Sequence, residues 1–483
     1  MSRSQSLTPV IGASVRIREP GGAGAPSALW LLIAVVLCLT VGACGGCGGD
    51  AAPRAADAPI DHIVVLFLEN RSFDHLFGTY PGADGLAGYR GRQTDRSGMA
   101  YVTLPQPLGR DGKPDPRFPA NLDNAPFPML KFVGALDPTN NPVHRFYHMQ
   151  RQYGAGADGL PMGRWVAEGT SGGATMGYYE RRAIPVQWRL AEEFVLLDRY
   201  FQGIHGGSFA NHFYLISSAV ARYPDAPTSL RAEVRSDGQV LKDGDVDPEG
   251  YVVNNLDPPY PPQRVDHILR EPQTLPTIAD RLDAAGVTWR WYATGWGGGA
   301  RAVQEGLVPH HNPFQYVKRI METQDGRAHI ADASEFVPAL RGRTLPSVAF
   351  VKPHWRDNAH AVSSTVGAGD QWIGAVMREI MASAYWPRMA VVITYDEGGG
   401  WFDHVRPPVV DRFGPGTRVP TLVVSPYARR GLVAHGQYDH ASILKLIEWR
   451  FGLESLTARD RAATAFLEAF DFSQPPRPPV PLP

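Results

Sequence analysis

The sequence predicts an α/β fold, a doubly wound sandwich around a largely parallel sheet, and three observations lead there. The run at residues 63–68 is continuously apolar and rich in β-branched side chains, as expected of a strand buried on both faces. Similar runs recur late in the chain at 347–351, 389–394 and 421–425. Helical patterns lie between or after them, at 370–383 and 441–451, and such alternation builds a sheet covered by helices on both sides.

Taken in order, residues 1–43 read as a signal peptide. Arg3, Arg16 and Arg18 precede an apolar run of 14 residues at 28–41, which is short for a membrane span. The run ends in Val41-Gly-Ala-Cys44, which resembles the bacterial lipobox, so export and a lipid anchor on Cys44 are expected. The competing reading is an ordinary signal peptide with a cysteine nearby. Residues 44–59 form a Gly/Ala/Pro tether, flexible by composition. A single large domain is expected over 60–475. Residues 84–142 and 223–276 are rich in Pro, Gly, Asp and Asn with weak periodicity, and are expected to be insertions that wall a site without a core of their own.

Composition excludes several classes. Formal net charge is -1 over 483 residues, and without clustered Lys and Arg no nucleic-acid footprint is expected. Cys38, Cys44 and Cys47 all lie near the N-terminus, so the body can hold neither a disulfide framework nor a thiolate metal site.

The chemistry lies in the residues just past the strands, because open α/β sheets bind ligands beyond the carboxyl ends of their strands. The first strand ends in Glu69-Asn70, the run at 389–394 leads to Asp396-Glu397 and three glycines, and the run at 347–351 leads through Lys352-Pro-His354 to His360. Glu69, Asn70, Asp396 and Glu397 offer only oxygen, which suits Ca²⁺, Mg²⁺ or Mn²⁺ better than zinc. Neighbours on a regular strand face opposite ways, so each pair can share an ion only where the strand breaks. Ser208, in His205-Gly-Gly-Ser-Phe-Ala-Asn-His212, is expected at a helix N-terminus, where N–H groups favour anions. The plain alternative is an N-cap serine. His310, His311, His360 and His404 sit in loops near these ends, candidates for proton transfer and phosphate contact.

These residues resemble the bacterial phospholipase C and acid phosphatase superfamily of phosphoesterases. The matching segments are Leu68-Glu-Asn-Arg-Ser-Phe-Asp-His-Leu-Phe-Gly78, Met176-Gly-Tyr-Tyr179, the segment around Ser208, His310-His-Asn-Pro-Phe314, and Asp396-Glu-Gly-Gly-Gly-Trp-Phe-Asp-His-Val405. The resemblance implies an alkaline-phosphatase-like three-layer α/β/α sandwich with long loop insertions. It implies one divalent cation held by Glu69, Asn70, Ser208, Asp396 and Glu397, with Ser208 as nucleophile. It makes His144 and His311 phosphate-contacting groups and His360 the leaving-group acid. The Ser208 segment resembles the acid phosphatase branch, so a phosphomonoesterase working through a phosphoserine, favoured at mildly acidic pH, is expected. A phospholipase C acting on lipid diesters is the alternative. A surface lipoprotein that binds a cation without turnover ranks below both.

Overall fold

Eight strands hydrogen-bond into one sheet in the order β8-β2-β7-β6-β1-β5-β3-β4. They are β1 (His62–Leu68), β2 (Val195–Leu197), β3 (Trp289–Ala293), β4 (Ile330–Ala331), β5 (Val348–Lys352), β6 (Met389–Tyr395), β7 (Thr421–Val424) and β8 (Leu432–Ala434). The computed structural model describes residue 55 and residues 58–483, except 157, 263–266, 299–301 and 303–306. The expected signal peptide, Cys44 and most of the tether lie outside the described residues. Among the described residues, no helix is long and apolar enough to cross a membrane.

The sheet is mixed, which corrects the largely parallel expectation at one strand. β1 runs parallel to β5 and β6, whereas β7 runs antiparallel to both β6 and β2. A parallel return needs a crossover, usually helical. The chain between β6 and β7 contains no helix among the described residues; it stays on the rim, supplies site residues, and runs straight back down. β2, β3, β4 and β8 escape sequence reading because they are short or, in β3, interrupted by Arg290.

Among the helices that pack on the sheet are α1 (Pro185–Glu193), α2 (Ser208–Ser217), α3 (Val366–Ala382) and α4 (His440–Phe451). Consecutive strand residues point to opposite faces, and β1 and β6 show both sides. Phe67 meets the rings of His212 on α2 and His440 on α4 at 4.9 and 5.4 Å. Tyr395, in register with Leu68, donates its hydroxyl to Gln187 on α1 at 2.9 Å. α1 in turn packs on α3, whose Asp370 carboxylate accepts from the backbone N–H groups of Val186 and Gln187. α3 starts where Thr365 accepts from Ala368 N–H and buries Ile373, Met377 and Ile380 along one stripe, the spacing of an amphipathic helix. Among the described residues of the insertions, Leu104, Phe118, Val246, Val252 and Leu269 join the same buried cluster as the sheet.

The rim is tied down by a buried ion network. Arg418, fully buried, donates to Asp403 and Asp74 at 2.9 and 3.0 Å and to the carbonyls of Asp84 and Asp198. His404 joins through Asp74 Oδ2 at 2.7 Å and Asp84 Oδ1 at 3.3 Å. Expected from sequence among the loop histidines near the chemistry, His404 is instead taken up in this network. Burial pulls its pKa down, but Asp74 and Asp403 outweigh burial and the net shift is upward. A raised folded-state pKa gives stability that is fully present below about pH 6.5 and is lost as pH rises through the folded value. His404→Gln should therefore destabilise the protein more at pH 5.5 than at pH 8.5 in urea unfolding; an equal loss at both pH values would refute the charged role.

Candidate active site

Glu69 and Asn70 face the site together because the strand ends at Leu68, just before them. Asn70 has φ 56, a left-handed conformation that Asn tolerates better than most residues. Its N–H donates to Asp396 Oδ1 at 2.9 Å, as does that of Glu397 at 2.8 Å. The second break comes after Glu397, where Gly399 has φ 63. A Cβ there would sit 2.4 Å from the Asn70 carbonyl oxygen, so the two strand-end turns can touch only because position 399 lacks a side chain.

Ser208 is the first residue of α2, and Gly207 before it provides no side-chain cap. Its hydroxyl is thus not used as an N-cap. It lies 3.4 Å from Glu69 Oε2, 3.5 Å from Asn70 Oδ1 and 3.4 Å from Glu397 Oε1. Four oxygens from three segments therefore converge, and all four residues are at most 1% exposed. The helix end is less open to anions than the sequence suggests, because Phe209 N–H already donates to Asn255 Oδ1 at 2.8 Å. The adjacent Asn254 Oδ1 accepts from Phe146 N–H at 3.0 Å, two residues beyond His144.

The charges do not balance among the protein groups. Glu69, Asp396 and Glu397 are buried with one ammonium, that of Lys352, which ion-pairs with Glu69 Oε1 and donates to the Leu68 carbonyl. Burial raises the Glu69 pKa, but Lys352, His311 and His212 outweigh it and hold the group well below its usual range. Burial, reinforced by Glu69, pushes Asp396 up to about 8. Burial and the two other carboxyls push Glu397 well up. Asp396 Oδ2 is buried without a hydrogen-bond partner. Fully ionised, three carboxylates against one ammonium leave two surplus negative charges, which a divalent cation would neutralise. Asn70 fits such a group in one of its two amide orientations: with the oxygen turned toward the cage it faces acceptors and could serve as a ligand. Turned over, the amide nitrogen would donate to Glu69 Oε2 and Asp396 Oδ1 at 2.8 and 3.2 Å. The protein donors thus fit an oxygen-ligated cation.

The three expected histidines surround this cage. His144 Nδ1 meets the Pro142 carbonyl at 2.7 Å. The carbonyl can only accept, so the proton is on Nδ1 and Nε2 points inward, 3.2 Å from Asn70 Nδ2 and 3.7 Å from Glu397 Oε1. His360 has the other tautomer in its neutral form: Val362 N–H donates to its Nδ1 at 3.1 Å, which leaves the proton on Nε2. His311 Nε2 lies 3.2 Å from Glu69 Oε1. Burial lowers the pKa of His144 and pushes that of His360 down to about 3. Burial therefore disfavours the charged forms of His144 and His360, and a negative charge entering the site works against that.

Two participants carried no role in the sequence reading. His212, one turn after Ser208 on α2, has its Nδ1 2.7 Å from the Ser208 carbonyl and its Nε2 3.5 Å from Glu69 Oε1. It stacks on His311 with centroids 5.4 Å apart. With Glu69 and His311 it forms a buried group compact enough to hold a metal ion. Its signal was the four-residue helical spacing from Ser208. The signal for Lys352 was a lysine ending an otherwise apolar buried strand. Asn254 and Asn255 left no signal in the sequence.

The model of the phosphoesterase family matches residues 60–454. The chain belongs to the phosphoesterase family. Phospholipase C A of Mycobacterium tuberculosis is 28% identical over 98% of this chain and 88% of the relative. Phospholipase C B of the same organism is 28% identical over 87% and 80%. The non-hemolytic phospholipase C of Pseudomonas aeruginosa is 24% identical over 87% and 58%. Among solved structures, the lipoteichoic acid synthase LtaP of Listeria monocytogenes overlaps 86% of this chain and 78% of its own at 7% identity with a TM-score of 0.38. A protein in the alkaline phosphatase superfamily from Vibrio parahaemolyticus overlaps 61% and 65% at 10% identity with a TM-score of 0.34. This phosphoesterase is a phosphoric ester hydrolase built on an α/β sandwich.

A divalent cation entering the cage must displace the protons that burial keeps on Asp396 and Glu397. Binding of Mn²⁺ to chelator-treated protein should therefore release protons and tighten between pH 6 and pH 8.5. Calorimetry in buffers of different ionisation enthalpy measures this, and binding with no proton release would place the cation elsewhere.

Proposed function

We propose that this phosphoesterase cleaves its substrate by attack of Ser208 Oγ on phosphorus, through a phosphoserine that water then hydrolyses. The observation that carries this reading is the Ser208 hydroxyl, free of capping duty and 3.4–3.5 Å from oxygens of Glu69, Asn70 and Glu397. Glu69, Asn70, Ser208, Asp396 and Glu397 would hold a divalent cation, which would supply positive charge favouring the serine alkoxide and polarising the phosphoryl group. The protein's own groups do the rest. The Ser208 hydroxyl has carboxylate oxygens within reach to take its proton. His144 and His311 lie beside the cage to meet the non-bridging oxygens. His360 is the acid for the departing alcohol: the negative charge of a bound ester offsets the burial that keeps it neutral, and its Nε2 delivers the proton.

On substrate, the similarity to phospholipases C favours a phospholipid. The Ser208 segment supports the second reading, an acid-phosphatase-like monoesterase. Both use the same chemistry, and phosphatidylcholine vesicles assayed beside p-nitrophenyl phosphate separate them. Ser208→Ala should lower turnover of the active substrate by at least about 10³-fold; near-normal turnover would remove Ser208 as nucleophile. His360→Ala should cost about 10²–10⁴-fold on an alkyl ester and far less on a p-nitrophenyl ester, whose leaving group needs no proton.

Export and anchoring through Cys44 rest on the sequence at 28–44. Cys44→Ser should shift the protein from the membrane to the soluble fraction of the cell envelope. Unchanged membrane association would refute the lipid anchor.

A further inference from the structure

Arg71 comes directly after the cage residues Glu69 and Asn70, yet it holds no carboxylate. It is 1% exposed. Its Nε and Nη2 both donate to the carbonyl of Ala359, the former at 2.9 Å and the latter at 2.5 Å. Its Nη1 lies 3.1 Å from His75 Nε2. His75 Nδ1 is engaged by the Gly177 carbonyl at 2.8 Å, so its proton sits there and Nε2 accepts from the arginine. The guanidinium also lies 5.2 Å from the centroid of the Trp401 ring. A buried arginine fork closed on one backbone oxygen is an expensive arrangement, and the residue it grips explains it.

Ala359 precedes His360 and has φ 75, a left-handed conformation that is strained for a non-glycine residue. Space forces the issue further, because the Ala359 backbone and Cβ fill the room that a side chain at Gly369 of α3 would occupy. The strained turn is held from both sides. Arg71 takes its carbonyl, and Ser364 Oγ accepts its N–H at 3.2 Å. The Asn358 carbonyl accepts from Glu69 N–H at 2.9 Å, and Asn358 Oδ1 accepts from His360 N–H at 2.9 Å. The loop that carries His360 is therefore fastened to the turn that carries Glu69 and Asn70, with Arg71 as the side-chain clasp.

We propose that Arg71 is a positioning residue for His360, holding the strained Ala359 peptide so that His360 Nε2 points at the leaving-group oxygen. This rests on the leaving-group role of His360 given above. A misplacement of about 1 Å can cost on the order of 10²-fold, and that loss must appear wherever the proton matters and nowhere else.

The experiment compares wild type, Arg71→Met, Arg71→Lys, Ser364→Ala, His360→Ala and the Arg71→Met/His360→Ala double variant on an alkyl ester and a p-nitrophenyl ester. Thermal melting is followed in parallel. Arg71→Met should lose about 10–100-fold in kcat/KM on the alkyl ester and less than about threefold on the p-nitrophenyl ester. Arg71→Lys, which keeps a donor, should recover part of the loss. In the His360→Ala background Arg71→Met should cost nothing more. Ser364→Ala loosens the same turn from its other side and should show the same leaving-group pattern more weakly, which keeps the test open if Arg71→Met folds poorly. Equal losses on both esters, or losses that multiply in the double variant, would overturn the proposal. If His360→Ala itself shows no leaving-group dependence, the role assigned to His360 fails; if it does and the Arg71 and Ser364 variants do not, only the clasp fails.

Discussion

Three carboxyl groups buried at the ends of two adjacent strands are the constraint on which the rest of the site depends. Like charges taken out of water at close quarters cannot all stay ionised without a counter-charge. One positive charge comes from Lys352, fully buried at the end of β5 and spent on Glu69 Oε1. This divides the work of the Glu69 carboxylate: Oε1 answers Lys352 and His311, while Oε2 faces Ser208. The remaining surplus is carried as protons on Asp396 and Glu397, or by a cation. The backbone serves the same end. The positive φ of Asn70 and the bare Cα of Gly399 let two turns approach closely enough to pool their oxygens.

The central architecture was legible because its strands are buried on both faces, and such strands print themselves as unbroken apolar runs. Residues 63–68, 347–351, 389–394 and 421–425 fall on β1, β5, β6 and β7 to within a residue or two. The direction of β7 was not legible. Hydrophobicity records burial, not polarity of the chain, and only the missing helix between β6 and β7 hinted at the reversal. The edge strands were missed because three residues, or two, carry no period.

The site was legible in its parts that end strands or open helices. Glu69, Asn70, Asp396, Glu397 and Ser208 come together, and His144, His311 and His360 stand around them. The electrostatics of the histidines were not legible, because residue type alone does not show the burial that lowers the pKa of His144 and His360. His404 and its sequence neighbour Asp403 share the Arg418 network that braces the rim, a placement that only tertiary structure reveals. Contacts between distant loops, such as Asn255 to Phe209 N–H, depend on tertiary placement alone.

The neighbouring side chains of Asn254 and Asn255 couple the wall at 223–276 to the candidate site. Asn254 Oδ1 accepts from Phe146 N–H, two residues beyond His144, and Asn255 Oδ1 accepts from Phe209 N–H, next to Ser208. A change of shape in this wall is therefore felt by the backbone that carries two of the candidate residues.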